Sequence, residues 1–441
     1  MARELRNPEL LLRARRAESL TAGSSEWRRR TPMHSMIERC AGIDVHQATI
    51  VVTIRVPDGT GGRRIETQTF KTMTSDLLAA RAWLQAHGVT HVAMESTGVY
   101  WRPLYYLLED GFTLLLVNMQ HLQQVPGRKS DVRDSEWLAQ LLECGLLKGS
   151  LVPPAPMRDL RELTRYRKRQ IEDRTQEVNR LYRVLEDAGL KLASVMTDVM
   201  GRSGRAMLDA ILGGSTDVDA LANLAKGRLR AKLPALRLAL ESQVRARHTF
   251  LMRQILSKID FLEEQIAQLT TEIDRQLAPF EPVIAKLTTI PGVARRNAVT
   301  VLVETTGDMR HFPTAAHLCS WAAICPGQNE SAGKRRSGKT RAGNRYLRGA
   351  LIESGQAATR AKQTALQARY FRVKRHRGHK KAVVAVGHQI LEIAYFIMRD
   401  GVTYQELGAG YFEQRNRDRA TRRHVKQLES LGYRVTLEEA A

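Results

Sequence analysis

The stretch AGIDVHQATIVVTIRV (41–56) decides the fold of the first part of this chain. It is rich in β-branched residues, PDGTGG (57–62) follows it as a turn signal, and RRIETQTF (63–70) resumes an alternating pattern. Three strands joined by hairpins are therefore predicted. Asp44 sits inside the first of them, where a carboxylate is costly to bury without a partner. Working outward, LLAARAWLQAHG (77–88) reads as a helix with Thr74 or Ser75 as its N-cap and a glycine at its end. Strand VTHVAMES, helix YWRPLYYLLEDG, strand FTLLLVN and a helix carrying SDVRDSEWLAQLLECG complete the segment.

Four acidic residues stand out in it: Asp44, Glu95 in MESTG, and Asp131 with Asp134 in KSDVRDSEWLAQLL. Asp131 and Asp134 are three apart on a predicted helix and so share a face. Two carboxylates about 4 Å apart repel by roughly 4 kcal/mol at an effective dielectric near 20, and a divalent cation removes that penalty. Oxygen ligands without accompanying thiolates point to Mg²⁺ or Mn²⁺. The order of strands and helices resembles the ribonuclease H-like α/β fold, which gathers carboxylates from a central strand, another strand and a late helix.

Charge bounds the class of partner. Lys and Arg number 69 against 46 Asp and Glu in 441 residues, a net charge of +23, which favours a polyanion binder. The alternative weighed for this charge is a set of Arg-rich, solvated helices. No run of eighteen apolar residues exists, so no membrane span is predicted. The Arg-rich residues 1–35 lack the apolar core of a secretory signal and are expected to be a disordered basic extension, with Met36 or Met33 as an alternative start to Met1. Cys40, Cys144, Cys319 and Cys325 show no C-x-x-C spacing, so reduced thiols in a cytoplasmic, nucleoid-associated protein are expected.

Beyond Pro153-Pro154 the pattern becomes all-helical. Met252, Ile255, Ile259, Leu262, Ile266, Leu269 and Ile273 form an a/d seam, and Ile171, Val178, Leu181 and Leu185 a weaker one interrupted by Arg174. An antiparallel coiled-coil hairpin or a dimerisation arm is predicted, against two amphipathic helices on a globular core. LTTIPGVARRNAVTVLVET then reads as helix, tight turn at Pro291-Gly292, and helix. In CPGQNESAGKRRSGKTRAGNRYLRGALIESG, residues 334–348 hold Lys334, Arg335, Arg336, Lys339, Arg341, Arg345 and Arg348 and no acid. Glycines there let the backbone approach a ligand closely. Ser331 and Ser337 lie in this loop. A serine among guanidinium groups can attack a phosphodiester if it is deprotonated, but taken alone a loop serine is usually a turn residue. RYFRVKRHRGHKKA supplies a further basic cluster.

With these residues in hand, the chain resembles the IS110 family of bacterial insertion-sequence transposases, over roughly 40–371. GIDVHQ, MESTG, KSDVRDSEWLAQLL, SGRAMLDAILGG, LAKGRLRAK, FLEEQIAQL, IPGV and the SAGK and AGNRYLR pieces carry the resemblance in order. It implies an α/β plus all-α chain: a RuvC-like, ribonuclease H-like domain over 36–155, a helical linker with a coiled coil over 156–280, a mainly helical transposase domain over 281–400 and a tail over 401–441. It implies an acidic tetrad at Asp44, Glu95, Asp131 and Asp134 holding Mg²⁺ or Mn²⁺. The S-x-G-K pattern carries the family's nucleophilic serine to Ser331. Ala332 stands where a glycine is frequent and the span to Gly343 is one residue short, which keeps Ser337 as the second candidate. Lys334, Arg335, Arg336, Lys339, Arg341, Asn344, Arg345 and Arg348 are the expected nucleic-acid contacts. The resemblance further implies DNA recombination at donor and target sites, guidance by a structured noncoding RNA, and homo-oligomers (dimer or tetramer) in which the acidic site of one subunit works beside the serine of another. A RuvC-type nuclease using water and a degenerate, non-catalytic DNA-binding protein are the alternatives.

Contact with about 8 phosphates predicts that log affinity for nucleic acid falls against log salt with a slope near −7. Fluorescence anisotropy over a salt series measures it, and a nearly flat plot would remove the polyanion reading.

Overall fold

The computed structural model describes residues 36–96, 98–118, 134–327, 329–331 and 333–437. The basic extension 1–35 and Asp131 lie outside the described residues. The chain divides into two compact units between Val152 and Pro153.

The first unit is built on a five-stranded sheet in the order β3-β2-β1-β4-β5. Its strands are β1 (Cys40–Val45), β2 (Thr49–Pro57), β3 (Arg63–Lys71), β4 (His91–Glu95) and β5 (Thr113–Val117). β1–β2 and β2–β3 pair antiparallel, while β1–β4 and β4–β5 pair parallel. Asp58 Oδ1 accepts hydrogen bonds from the Thr60 and Gly62 amides, both 2.8 Å, which fixes the β2–β3 turn. This mixed sheet with helices is the ribonuclease H-like arrangement expected of the segment.

The two faces differ in chemistry because side chains alternate along each strand. On one face Ala41, Ile43, Val45, Val92, Met94 and Leu116 pack with Leu77, Ala80, Leu84, Leu104 and Leu108 from α1 (Thr74–Ala86) and α2 (Trp101–Leu108). The predicted side-chain cap of α1 is absent: Met73 is the N-cap and no side chain caps it. Thr74 has already entered the helix, and Asp76 supplies the negative charge that the N-terminal dipole favours. The other face carries α3 (Asp134–Glu143), with Cys40, Ala93, Val117 and Leu142 in a small cluster.

α3 lies directly on β1. A Cβ at Gly42 would sit 2.1 Å from the Ser135 carbonyl oxygen and 2.4 Å from the Ala139 amide nitrogen. Both ends of the helix are tied to the sheet. Ser135 Oγ shares a 2.8 Å hydrogen bond with buried Thr53, and Glu143 pairs with Arg55 at 2.5 Å and Arg63 at 2.6 Å.

The second unit begins with α4 (Ala155–Asp187), which runs antiparallel to α5 (Ala246–Leu277). The direction follows from the cross-links: Asp187 with His248 at 3.0 Å, Glu177 with Lys258 at 2.5 Å, Arg174 with Glu263 at 2.7 Å and Arg167 with Thr270 at 3.4 Å. Of the expected seam, Met252, Ile259, Leu262 and Ile273 are buried, while Ile255, Ile266 and Leu269 are half-buried. Leu181, Leu185, Met252, Leu256 and Ile259 belong to one core with the short helices of 192–240. At that end the pair is the spine of a globular head.

The helices beyond α5 include α6 (Arg295–Thr305), α7 (Ala315–Trp321), α8 (Arg345–Ala358), α9 (Ala365–Arg377), α10 (His379–Asp400) and, after it, a helix at Tyr411–Ser430. α10 is long and apolar enough to cross a membrane, but half of its most apolar stretch is buried inside the unit. Val383, Val386, Ile390, Leu391 and Ala394 are among its buried residues, and it packs against α7, α8 and α9 as a core helix does.

Replacing Gly42 with alanine pushes a methyl group into the α3 backbone. Expected is a loss of about 1–3 kcal/mol, with faster amide exchange confined to 134–143. Unchanged exchange there would show that α3 does not depend on this close approach.

Candidate active site

Two groups of residues carry chemistry, one in each unit. In the first, Asp44 belongs to the same face of β1 as Gly42, the face on which α3 lies. β1 and β4 run parallel with Ile43 opposite Met94, so Asp44 and Glu95 are the next residues along neighbouring strands and share that face. α3 runs opposite to β1, since Glu143 reaches Arg55, the partner of Cys40, while Ser135 and Ala139 crowd Gly42. Asp134, its first residue, therefore lies toward the Asp44 end. The Asp44 side chain is 16% exposed and pairs with His46 Nε2 at 3.0 Å, a partner that the sequence reading did not single out.

All three carboxylates are hard oxygen donors at one end of one sheet face, a donor set that suits a divalent cation. Among the described residues no group of three or more His, Cys, Asp and Glu side chains converges closely enough to hold a metal. Asp134 is exposed on the first turn of α3, and Asp131 lies outside the described residues. The chemistry of the donors fits; the described geometry gathers only part of the set.

In the second unit, β6 (Asn329–Ser331) and β7 (Lys334–Ser337) form a two-stranded hairpin, with Ser331 opposite Lys334 at its tip. Ser337 lies at the open end, opposite Asn329, and its Oγ accepts a 3.1 Å hydrogen bond from the Lys339 amide. Ser337 thus holds the local turn. Lys334 and Lys339 are exposed. Arg341 donates to the Ser320 carbonyl (3.2 Å) and hydroxyl (3.1 Å), tying the loop to the end of α7. Arg345 is exposed and Arg348 half-buried on α8, one helical turn apart.

Asn344 has an architectural role. Its side chain caps α8 by accepting from the Tyr346 and Leu347 amides, at 3.0 and 3.1 Å. It also donates to Glu304 Oε2 at 2.5 Å. Glu304 is 1% exposed and is gripped by Arg165 through two bonds of 2.8 and 2.7 Å. Arg161 lies 3.5 Å from the same carboxylate and donates to the Val303 and Glu304 carbonyls. Burial pushes the Arg161 guanidinium below its ordinary value, and the Glu304 charge works against that shift. Tyr346 adds a second tier, with Arg165 and Arg345 over its ring and hydrogen bonds from Arg345 (2.8 Å) and Arg169 (3.3 Å). A lone acid in the apolar run AVTVLVET was the sequence signal for this hub.

The Pro291-Gly292 turn packs on α8. Gly292 has φ +87°, and a Cβ there would meet Ser354 O and Ala358 N at 2.5 Å. Arg295 and Arg296, just beyond the turn, are paired with Glu281 and Glu353. The turn is therefore a packed helical corner. Of the cysteines, Cys40 and Cys319 are buried, and desolvation pushes the Cys40 thiol up to about 12, which leaves it unreactive.

Comparison with known proteins gives matches at both ends of the chain. A model of the DEDD transposase domain of IS110 elements, described as a transposase, matches residues 41–189. A second model, described as the transposase IS116/IS110/IS902 family, matches 284–371. The "Insertion element IS110 uncharacterized 43.6 kDa protein" of Streptomyces coelicolor is 34% identical over 157 residues, 34% of this chain and 37% of that protein's own length. The "Putative transposase y4pF/y4sB" of Sinorhizobium fredii is 24% identical over 327 residues, 72% of this chain and 75% of that protein.

Replacing Glu304 with glutamine leaves two half-buried arginines without their anion. A loss of about 3–5 kcal/mol is expected, against less than about 1 kcal/mol for the exposed Arg345→Ala. Chemical denaturation of the three proteins checks it, and equal midpoints would dismiss the hub.

Proposed function

This chain belongs to the IS110 family of transposases, and we propose that it recombines DNA through a covalent phosphoserine intermediate at Ser331. The placement of Asp44 and Glu95 side by side at one end of a sheet face is the observation that carries the reading. A DEDD domain implies a divalent metal. We assign that metal to Asp44, Glu95, Asp131 and Asp134 and take it to be Mg²⁺ or Mn²⁺. When bound, such an ion supplies Lewis acidity and lowers the pKa of a hydroxyl at the phosphate.

The chain's own residues do the rest. Ser331 Oγ attacks the scissile phosphorus, a serine–phosphate ester forms, and the phosphorus–sugar oxygen bond breaks. The serine proton ends on the displaced sugar hydroxyl, which is retained for rejoining. Lys334, Arg335, Arg336, Lys339, Arg341, Arg345 and Arg348 hold phosphates and offset the charge of the pentavalent state. Asn344 acts on this surface indirectly, by capping the helix that carries Arg345 and Arg348. His46 orients Asp44. The bond from the Lys339 amide to Ser337 Oγ supports Ser331 over Ser337 as nucleophile.

Family membership also supports a noncoding RNA that pairs with donor and target DNA, which leaves sequence choice to base pairing. It supports a dimer or tetramer in which the acidic face of one subunit serves the serine of another.

The test is incubation of the full chain with the RNA flanking its element, labelled junction DNA and Mg²⁺, followed by a search for a protein–DNA adduct that survives SDS. The adduct is expected from the parent and from Ser337→Ala, and is expected to vanish in Ser331→Ala, in Asp44→Ala and on chelation with EDTA. Cleavage without an adduct, unchanged in Ser331→Ala, would make the chain a RuvC-type hydrolytic nuclease and end the serine proposal.

A further inference from the structure

Between Glu353 and Glu392 the chain has no acidic residue, yet it holds nine lysines and arginines. Most of them gather where α9 meets α10. Lys374, Arg375 and Arg377 lie in the last turn of α9, and Lys380 and Lys381 in the first turn of α10. The second pair sits at the positive end of a helix, where cations are disfavoured and no acid offsets them. Among the described residues, no ion pair joins Arg375, Arg377, Lys380 or Lys381 to an acid. Four surface arginines elsewhere in the unit are matched: Arg295 with Glu281, Arg296 with Glu353, Arg310 with Asp308, Arg399 with Asp400. Among the described residues the corner is an unneutralised concentration of charge.

It is also held in shape. The chain turns at Gly378, and buried Tyr370 on α9 shares a 2.8 Å hydrogen bond with His379 Nδ1 on α10. Lys374 Nζ lies 5.5 Å from the Tyr370 ring centre. Phe371, next to this lock, is 52% exposed, although the helix Tyr411–Ser430 also packs on α9. Lys374 and Arg375 follow Phe371 by three and four positions, so the exposed ring and two cations share one helix face. An aromatic face flanked by cations is how proteins stack an unpaired base and hold its phosphates, whereas a duplex offers no base face. The second family model ends at Phe371, so all five of these corner cations lie beyond it.

We propose that this helix corner is a second nucleic-acid contact, outside the serine hairpin, which takes a single-stranded segment by stacking a base on Phe371 and holding the flanking phosphates on Lys374, Arg375, Arg377, Lys380 and Lys381. RNA loops and opened DNA share that chemistry.

Binding of the full chain without metal separates this from the recombination chemistry, because a chain that forms no adduct is still informative. The probes are labelled oligothymidine and oligouridine of about fifteen nucleotides and a duplex of the same length, which matches the upper site sizes of single-strand binders. Phe371→Ala is expected to weaken at least one single strand by roughly 5- to 100-fold while duplex affinity stays unchanged, and Phe371→Trp to retain binding. Loss with the uridine probe alone identifies RNA, and loss with the thymidine probe identifies opened DNA. Arg375→Gln combined with Lys380→Gln should flatten the single-strand salt plot by about 0.7 for each phosphate no longer neutralised. Single-strand affinities equal to the parent in Phe371→Ala, or equal losses on single strand and duplex, would overturn the proposal. The double variant decides the matter if Phe371→Ala does not fold: an unaltered salt plot would also overturn it.

Discussion

The first unit depends on one close approach, that of α3 to the backbone of β1 at Gly42. With no side chain in the way, the helix backbone comes to within a distance that any Cβ would violate. Thr53 and the Arg55–Glu143–Arg63 cluster then hold its two ends. The consequence is electrostatic as much as steric. The start of α3, with Asp134, is brought toward the end of the sheet face where Asp44 and Glu95 lie. The opposite face is apolar along β1, β2 and β4 and supplies the burial that stabilises this arrangement.

The second unit uses the reverse strategy. A single buried carboxylate, Glu304, organises an otherwise cationic neighbourhood. Arg161 and Arg165 come from α4, Asn344 from the cap of α8, and Tyr346 with Arg345 from its first turn. The hub links the long helix to the element that follows the basic hairpin. A buried ion pair of this kind contributes little net stability compared with apolar packing, yet removing one member is costly. Its effect is to fix where the start of α8 sits. Basic residues near it thus divide into two kinds: Arg165 and Arg161 are committed to architecture, while Lys334 and Lys339 remain exposed.

Membership of the IS110 family joins these observations, since its two matched models cover the acidic unit and the hairpin-bearing helical region respectively.

Much of this was legible in the residues themselves. The β-branched runs, the PDGTGG turn and the alternating strands and helices specify the sheet through short-range periodicity, and the order of Asp44, Glu95 and Asp134 locates the acidic face. The a/d spacing located the helix pair, because a heptad is likewise a local pattern. Long-range contacts were not legible. Nothing local to Gly42 says that Ser135 will lie against it, and nothing near Asn344 says that its amide will reach Glu304. The head helices that bury Met252 and Leu256 widened a seam that the heptad alone would have kept narrow. Sequence by itself determined the elements, the charge and the family. Only the tertiary structure decided which polar residues are held in place and which stay free to meet a ligand, because that division depends on which side chains are brought together from distant parts of the chain.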